Sequence, residues 1–342
     1  MIPEQLKEFT LAPQRQFKPV RRQKGVALII VVFVTALIVI ITTGIARQQN
    51  LFVQKSANIF TQAQAIELAI GAEQFARVGL KRDYDDDKEK NQLVDHEKEI
   101  WSEYAATFPM EFGTIEIQVD DLQGRFNLND LVDNQGVANP VMVERLQDLL
   151  DALGVVSVNA EKFVDWVDED EESYKYKGAE DDVYLLADTP YRTPNAEAVH
   201  ISELLLISEI TLEEYEKLKP HLSLLPRATN GLNINTCSAE LLMSLNDKLS
   251  KEDAEAVIEK RKENPFEKVD DLYALEEFKG ITNRAPALVV KTQFFQIAVR
   301  VTIGDKTVRL VSVVHRSANG LTELISRDFG QKSIINKQQV LL

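Results

Sequence analysis

Val26 to Ala46 form a run of 21 residues without a charge, between Lys24-Gly25 and Arg47. About 20 apolar residues are what a helix needs to cross the hydrocarbon of a bilayer. The helical pattern continues past that run. From Arg47 to about Arg77 there is no proline and the only glycine is Gly71. Leu51, Ile59, Ile66, Ala69, Ile70 and Phe75 fall at the spacings of a partly buried helical face. One helix from Val26 to near Val78 would be about 80 Å long at ~1.5 Å per residue. Gly79 and the acidic run Asp83 to Lys90 are expected to end it, and Asp95 to Phe108 reads as another short helix.

Strand patterning appears in two places. Ile115, Ile117 and Val119 alternate with Glu116 and Gln118, which is the period of a half-buried strand. Near the C-terminus Phe295, Ile297, Val299, Val301 and Ile303 alternate with polar or small residues. Gly304-Asp305-Lys306 then reads as a turn into Val308 to His315, and Leu321 to Ser326 as a last strand. Between the two strand regions the pattern is helical. It holds a faint repeat: Gly124-Arg-Phe-Asn-Leu-Asn-Asp leads to helices near Val143–Leu153 and Ala160–Val167. Gly231-Leu-Asn-Ile-Asn-Thr leads to helices near Ala239–Leu245, Lys251–Lys262 and Asp270–Leu275. The Asn, Ser and Thr residues at these openings are natural N-caps, since their side-chain oxygens accept from free N–H groups of a first turn.

This order predicts an α+β fold: a long N-terminal helix, a small antiparallel sheet and a large inserted all-α domain of two helical subdomains. The boundaries are a leader at 1–25, the helix at 26–81, and the α/β unit at 82–127 and 293–330. The insertion occupies 128–292, divided at about 229/230, and a tail covers 331–342.

Charge orients the chain. The formal net charge is −15, yet the first 25 residues carry six basic against two acidic side chains, which leaves −19 on the rest. A basic cluster confined to one flank of a membrane-length segment places that flank in the cytoplasm. The bulk of the chain then lies on the opposite side of the membrane as a single-pass protein. So acidic a body is a poor partner for nucleic acid and a good one for cations. Cys237 is the only cysteine, so no intrachain disulfide can form. The basic flank meets the apolar run with no polar spacer, and no small-residue cleavage site follows that run. The Lys24-Gly25-Val26 junction looks like a site cut by a prepilin peptidase, after which the apolar segment becomes the new N-terminus.

Three constellations could carry chemistry. Around Trp166, Asp165, Asp168 and Asp170 lie close together, and Glu180, Asp181 and Asp182 follow a short loop. Carboxylates at this density repel one another, and calcium, which takes six to eight oxygen ligands, can be encircled by such a loop. The bland alternative is a solvated acidic loop. No local cysteine and few histidines argue against zinc. Asp83, Asp85 and Asp87 copy the start of an EF-hand, but Lys88 stands where glycine is needed and Val94 where the bidentate glutamate belongs, so the run reads as a hydrated helix exit. The second repeat resembles a SAM-like or helix-hairpin-helix domain of the kind in competence DNA receptors. Its connection, Asn246 to Lys251, lacks the glycine turn that would face a phosphate. An envelope-anchored DNA-binding protein is therefore the alternative reading, disfavoured by charge. His96, His200, His221 and His315 sit in unrelated contexts with no nucleophile or phosphate-loop pattern beside them, and no enzyme is expected.

Taken together, the junction KGVALIIVVFVTALIVI, the block FVDWVDEDEE…GAEDDVY and the NLND and NINT openings resemble the K-type minor pseudopilins of type II secretion systems, the GspK family. The likeness covers nearly all of the chain. It implies a pilin-like helix and sheet with an inserted α-domain, and assembly with I- and J-type minor pseudopilins at the tip of a periplasmic pseudopilus. It also implies calcium bound by the WVDED and GAEDD segments, cleavage after Gly25, methylation of Val26, and contact with the inner-membrane assembly platform. Most pilin-like subunits carry glutamate at the fifth mature residue. Here that residue is Ile30, an absence that K-type proteins share.

Overall fold

The computed structural model describes residues 25–103, 105–227, 231–245, 249–279, 288–331 and 335–341. The expected leader, apart from Gly25, and parts of the hairpin connection and C-terminal tail lie outside them.

In chain order, helix α1 (Val26–Lys90) is followed by α2 (Ile100–Glu103) and strands β1 (Ala105–Met110) and β2 (Gly113–Asp121). The insertion then contributes β3 (Phe126–Asn127), α3 (Pro140–Ala152), α4 (Ala160–Val167), α5 (Asp181–Tyr184), α6 (Leu212–Leu218) and β4 (Leu222–Ser223). It continues with β5 (Leu232–Asn233), α7 (Ala239–Met243), α8 (Lys251–Glu263), α9 (Val269–Tyr273) and β6 (Leu288–Val289). The chain returns as β7 (Phe294–Ile303), β8 (Lys306–Arg316), β9 (Thr322–Asp328) and β10 (Gln339–Leu341). The main sheet has the order β10-β1-β2-β7-β8-β9.

The described residues divide into two units at Phe60/Thr61. In the first, the described part of α1 exposes its apolar side chains, among them Ile29, Phe33, Ile40, Phe52 and Phe60. The hydroxyls of Thr35 and Thr42 donate to the carbonyls of Val31 (2.9 Å) and Ile38 (2.8 Å), so neither disturbs an apolar surface.

In the second unit, residues 61–90 of α1 lie on the sheet through an alanine row. Ala65, Ala69, Ala72, Ala76 and Leu80 face Ile117, Val119, Phe295, Ile297, Val299 and Leu310. Small side chains let the helix approach closely. The larger residues expected to form the buried face divide differently: Leu51, Ile59 and Phe75 are exposed, and Ile66 and Ile70 are half-buried. Within the alanine row Glu73 is completely buried, accepting from Ser312 (2.8 Å) and from Arg327 Nε (2.6 Å) and Nη2 (2.9 Å). Burial alone would raise its carboxyl; the bonds from Arg327 and Ser312 and the charge of Arg77 hold it below the usual value.

Three boundaries differ from the sequence reading. Helix α1 passes through Gly79 and the acidic run to Lys90. Gly79 costs only about 1 kcal/mol in a helix, while Tyr84 is buried, Lys81 pairs with Asp85, and Lys88 and Lys90 sit favourably in the last turn. Asp95 to Phe108 is not one helix: only 100–103 are helical, and 105–110 pair with β2, Ala106 opposite Ile117. The tail is not separate either. Its β10 pairs parallel to β1, Ala105 opposite Gln339, which makes the sheet mixed rather than antiparallel.

The insertion leaves after Asp121 and returns at Phe294, and its repeat is structural. Each half opens with a two-residue strand that pairs in parallel with its own closing strand, β3 with β4 and β5 with β6, so the insertion is not purely helical. The second asparagine of each opening does the same work. Asn129 accepts from Ala198 N–H (2.8 Å) and donates to Ala198 C=O (3.0 Å); Asn235 accepts from Phe266 N–H and donates to Phe266 C=O, both 2.9 Å. These asparagines are buried clamps on a loop, not N-caps. Capping falls to Asn139, Thr211, Ser238 and Ser250.

Where the chain crosses between sheet and insertion, Asp121 gathers the strands. Its Oδ1 accepts from Gln123 N–H (2.6 Å), and its Oδ2 from Asn233 (2.8 Å), Thr236 (2.6 Å) and Thr292 (2.5 Å).

Replacing Glu73 by Ala removes three hydrogen bonds, two from a guanidinium, at a buried position. The variant should lose roughly 2–3 kcal/mol, read as a lower midpoint in chemical denaturation of the full chain in detergent. A midpoint within error of the parent would show that the alanine row alone holds the helix on the sheet.

Candidate metal centre

Helix α4 is buried on nearly every face. Phe163, Val164, Trp166 and Val167 lie in the insertion's core, and Asp165 is also fully buried. The helix ends at Asp168, whose backbone is extended and whose N–H closes onto Val164 C=O (2.9 Å). The chain then loops out to Gly178 and comes back through Glu180, which leads into α5. Trp166 and Tyr184 meet edge to face, and Trp166 Nε1 donates to Glu203 (3.3 Å).

This path brings Asp165, Asp168 and Glu180 together. One carboxylate oxygen from each lies within 4.8 Å of the others, and all three residues are buried. Asp165 Oδ1 accepts from Tyr174 N–H (2.7 Å), and Glu180 Oε2 from Thr193 Oγ1 (3.0 Å). Asp165 Oδ2, Asp168 Oδ1 and Glu180 Oε1 are buried and have no hydrogen-bond donor. A buried acceptor without a donor is costly, and three of them on one cluster of carboxylates call for a shared positive charge.

The electrostatics agree. Burial raises the Asp165 carboxyl to about 6; Asp168 and Glu180 rise to about 7, also mainly through burial and with neighbouring carboxylates adding to it. Gly178 is required by close approach: a Cβ there would lie 2.1 Å from Asp165 Oδ2 and 2.8 Å from Tyr174 N.

Of the six acidic residues expected at the site, three form this cluster. Asp170 is exposed, its Oδ1 accepting from Glu172 N–H (2.7 Å), yet its charge raises all three buried carboxyls. Asp181 is half-buried, pairs with Arg192 and accepts from Thr193 N–H (3.1 Å). Asp182 is exposed on α5. Thr193 and Gly178 escaped the sequence reading. Thr193 carries no local signal, because it reaches the site from a separate loop. Gly178 matters only through a distance that folding creates. Gly25, the expected processing position, begins the described residues, and Val26 and Ile30 lie in the first turns of α1.

The four histidines hold structural places: His200 contacts Asp328 (3.0 Å), His221 contacts Ser238 (2.9 Å), His96 accepts from Lys98 N–H, and His315 lies against Phe294.

These parts define a class of protein: a helix with a membrane-length apolar run, and a small mixed sheet interrupted by a twofold helical insertion with a buried carboxylate cluster. Family profiles described as type II secretion system (T2SS), protein K match residues 124–227 and 232–291. Type II secretion system protein K of Pseudomonas aeruginosa is 33% identical over 317 residues, covering 91% of this chain and 94% of that one. Its counterpart from Pectobacterium carotovorum is 30% identical over 337 residues, covering 92% and 99%. A chain in the crystal structure of the GspK-GspI-GspJ complex from enterotoxigenic Escherichia coli shares the fold, with a TM-score of 0.72 at 24% identity, over 81% of this chain and all of that one. The chain belongs to the type II secretion system protein K family.

Carboxyls raised in the folded state bind protons that the unfolded chain has released, so their contribution is largest at low pH and is lost as pH rises through the folded values. In divalent-free buffer the thermal midpoint of the full chain in detergent should fall between about pH 5 and about pH 8, and Asp168→Asn should flatten that fall. A parent midpoint that rises over this range would refute the electrostatic account.

Proposed function

We propose that this K-type minor pseudopilin forms the tip of the periplasmic pseudopilus together with I- and J-type minor pseudopilins, where it initiates assembly and limits elongation during protein secretion. Ile30 carries the reading. It is the fifth residue counted from Val26, it lies on α1, and it is exposed and uncharged. A carboxylate at that position can pair with the N-terminal ammonium of the neighbouring subunit. A subunit without it cannot be added beneath another in that way, but loses nothing at the top, where no subunit lies above. The inserted domain supplies the bulk that would stop growth beyond it.

Before extraction the apolar part of α1 anchors the chain in the inner membrane, with residues 1–25 cytoplasmic and the rest periplasmic. A prepilin peptidase removes the leader after Gly25, Val26 becomes the N-methylated terminus, and the assembly platform draws the helix out of the bilayer. The role is one of assembly rather than catalysis. Co-expression of the full chain with I- and J-type partners and solubilisation in detergent should yield all three together, with the mass of this chain starting at N-methyl-Val26. A chain that purifies alone, or keeps its leader, would sink the proposal.

Calcium suits the buried cluster, because all donors are oxygens and none is sulfur or nitrogen. Asp165, Asp168 and Glu180 would hold the ion, with Asp170, Asp181 and Asp182 as the acidic surround. The ion would supply the positive charge that the three orphaned oxygens lack and fix the loop from 169 to 178 against α4. A ligand that binds only the folded form stabilises it by about 2.7 kcal/mol at a hundred times its dissociation constant. Calcium should therefore raise the thermal midpoint of the full chain, chelation should reverse the gain, and Asp168→Asn should abolish it. A midpoint indifferent to chelation removes the claim.

A further inference from the structure

Among the described residues the main sheet ends in β9 on one side and in β1, overlain by the short β10, on the other. An edge strand presents unpaired N–H and C=O groups to any strand that comes alongside. Sheets that stay single blunt their edges with charge, bulges, proline or a covering segment. β9 is blunted by its own composition and shape. Glu323, Arg327 and Asp328 lie along it, and its register with β8 breaks at a bulge between Val313 and Val314.

β1 is different. Its sequence, Ala-Ala-Thr-Phe-Pro-Met, has no charge. Ala105 N–H points away from β2, since it donates to Gln338 C=O (3.0 Å). Backbone groups two residues apart along a strand point the same way, so the N–H of Thr107 and the nitrogen of residue 109 face that side too. Residue 109 is proline, which has no N–H to offer. The part of this edge able to recruit a strand is therefore Ala105 to Thr107. Those are the three residues that β10 covers, Ala105 opposite Gln339 and Thr107 opposite Leu341.

The covering strand is held from the face of the sheet. Ile117 and Val119 of β2 pack towards the alanine row of α1, so Glu116, Gln118 and Asp120 project from the opposite face. All three take hold of the tail. The buried Gln118 accepts from Asn336 N–H (2.8 Å) and Lys337 N–H (2.9 Å) and donates to Asn336 Oδ1 (3.0 Å). Asp120 pairs with Lys337 Nζ (2.9 Å), and Glu116 accepts from Gln339 (2.9 Å). A three-residue pairing is short, and these bonds supplement it. Between Asp328 and Gln339 the chain passes from one edge of the sheet to the other.

We propose that residues 335–341 are an edge guard: held by Gln118, they keep Ala105 to Thr107 of β1 from pairing with the same strand of a second copy, and so keep the chain from self-association. A second copy is the fitting occupant because β1 is uncharged, so two of them meet with no like charges opposed. A twofold antiparallel pairing also satisfies the same backbone groups on both chains. The tail wins in the intact chain because attachment raises its effective concentration above that of a free strand.

The test is the mass of the full chain in detergent, by sedimentation velocity, with and without residues 335–342. The shortened chain should associate as its concentration rises, reaching at least twice the protein mass of the parent, while the parent keeps its mass. A synthetic peptide of residues 335–342 should return it to the parent's mass. Thr107→Pro in the shortened chain should do the same, because it removes an outward N–H and leaves those of Ala106 and Phe108 for β2. Gln118→Ala in the full-length chain should associate at concentrations where the parent does not. A shortened chain that keeps the parent's mass overturns the guard. So does association that excess peptide leaves in place, which would come from misfolding or from another surface.

Discussion

The carboxylate of Asp121 is the constraint on which the arrangement depends. It stands at the last residue of β2, where the chain leaves the sheet for an excursion of about 170 residues, and it is bonded to the residues that bring the chain back. Gln123 belongs to the outgoing crossing, Asn233 and Thr236 to the opening of the second helical half, and Thr292 to the return. Four donors on one buried acid bind three distant parts of the sequence at a single point. Thr292 passes the connection on to Asp95 and Arg316, and so to the end of α1. A missing donor here would leave a charge buried with its bonding incomplete, which is far more expensive than the loss of an exposed bond. That asymmetry is what fixes the crossing.

Around that point the molecule uses one device twice. Each half of the insertion opens on a short parallel strand and clamps a later loop with its second asparagine, the amide bonding both backbone groups of one residue. An amide is suited to this because it carries a donor and an acceptor in one plane, and no charge has to be buried. The helical halves then share one core, from Phe126 and Leu146 through Leu241 to Leu272, so the internal duplication ends in a single packed body.

Two carboxylate groups, around Asp95 and around Asp165, show how the same residue types meet different surroundings. At Asp95 a guanidinium enters the group and stacks on an aromatic ring. At Asp165, Asp168 and Glu180 the arginines nearby are turned to other partners: Arg192 to Asp181, and Arg227 to Glu169 and Val167 C=O. Three buried oxygens are left there without a donor. What separates the groups is where the nearest arginine is pointed, and packing settles that.

Much of this was legible in the sequence because it rests on local pattern. The uncharged run from Val26, the strands of period two, the repeat openings and the dense carboxylates around Trp166 each follow from neighbours in the chain. The errors arose where a distant partner overrode a local signal. Gly79 and the acidic run read as a helix end, but burial of Tyr84 and the link to Arg316 carry α1 to Lys90. Ala105 to Met110 read as helix, but β2 offered an edge to pair with. The tail read as separate until β1 took it as a parallel strand. By itself, then, the sequence determined the long helix, the period-two strands, the charge asymmetry and the residue types of the site, since periodicity and composition are properties of neighbours. Only the tertiary structure decided which alanines meet the sheet, which three of six acids converge, and which buried acceptors lack a donor. Those depend on distances between residues far apart in the chain, and folding alone sets them.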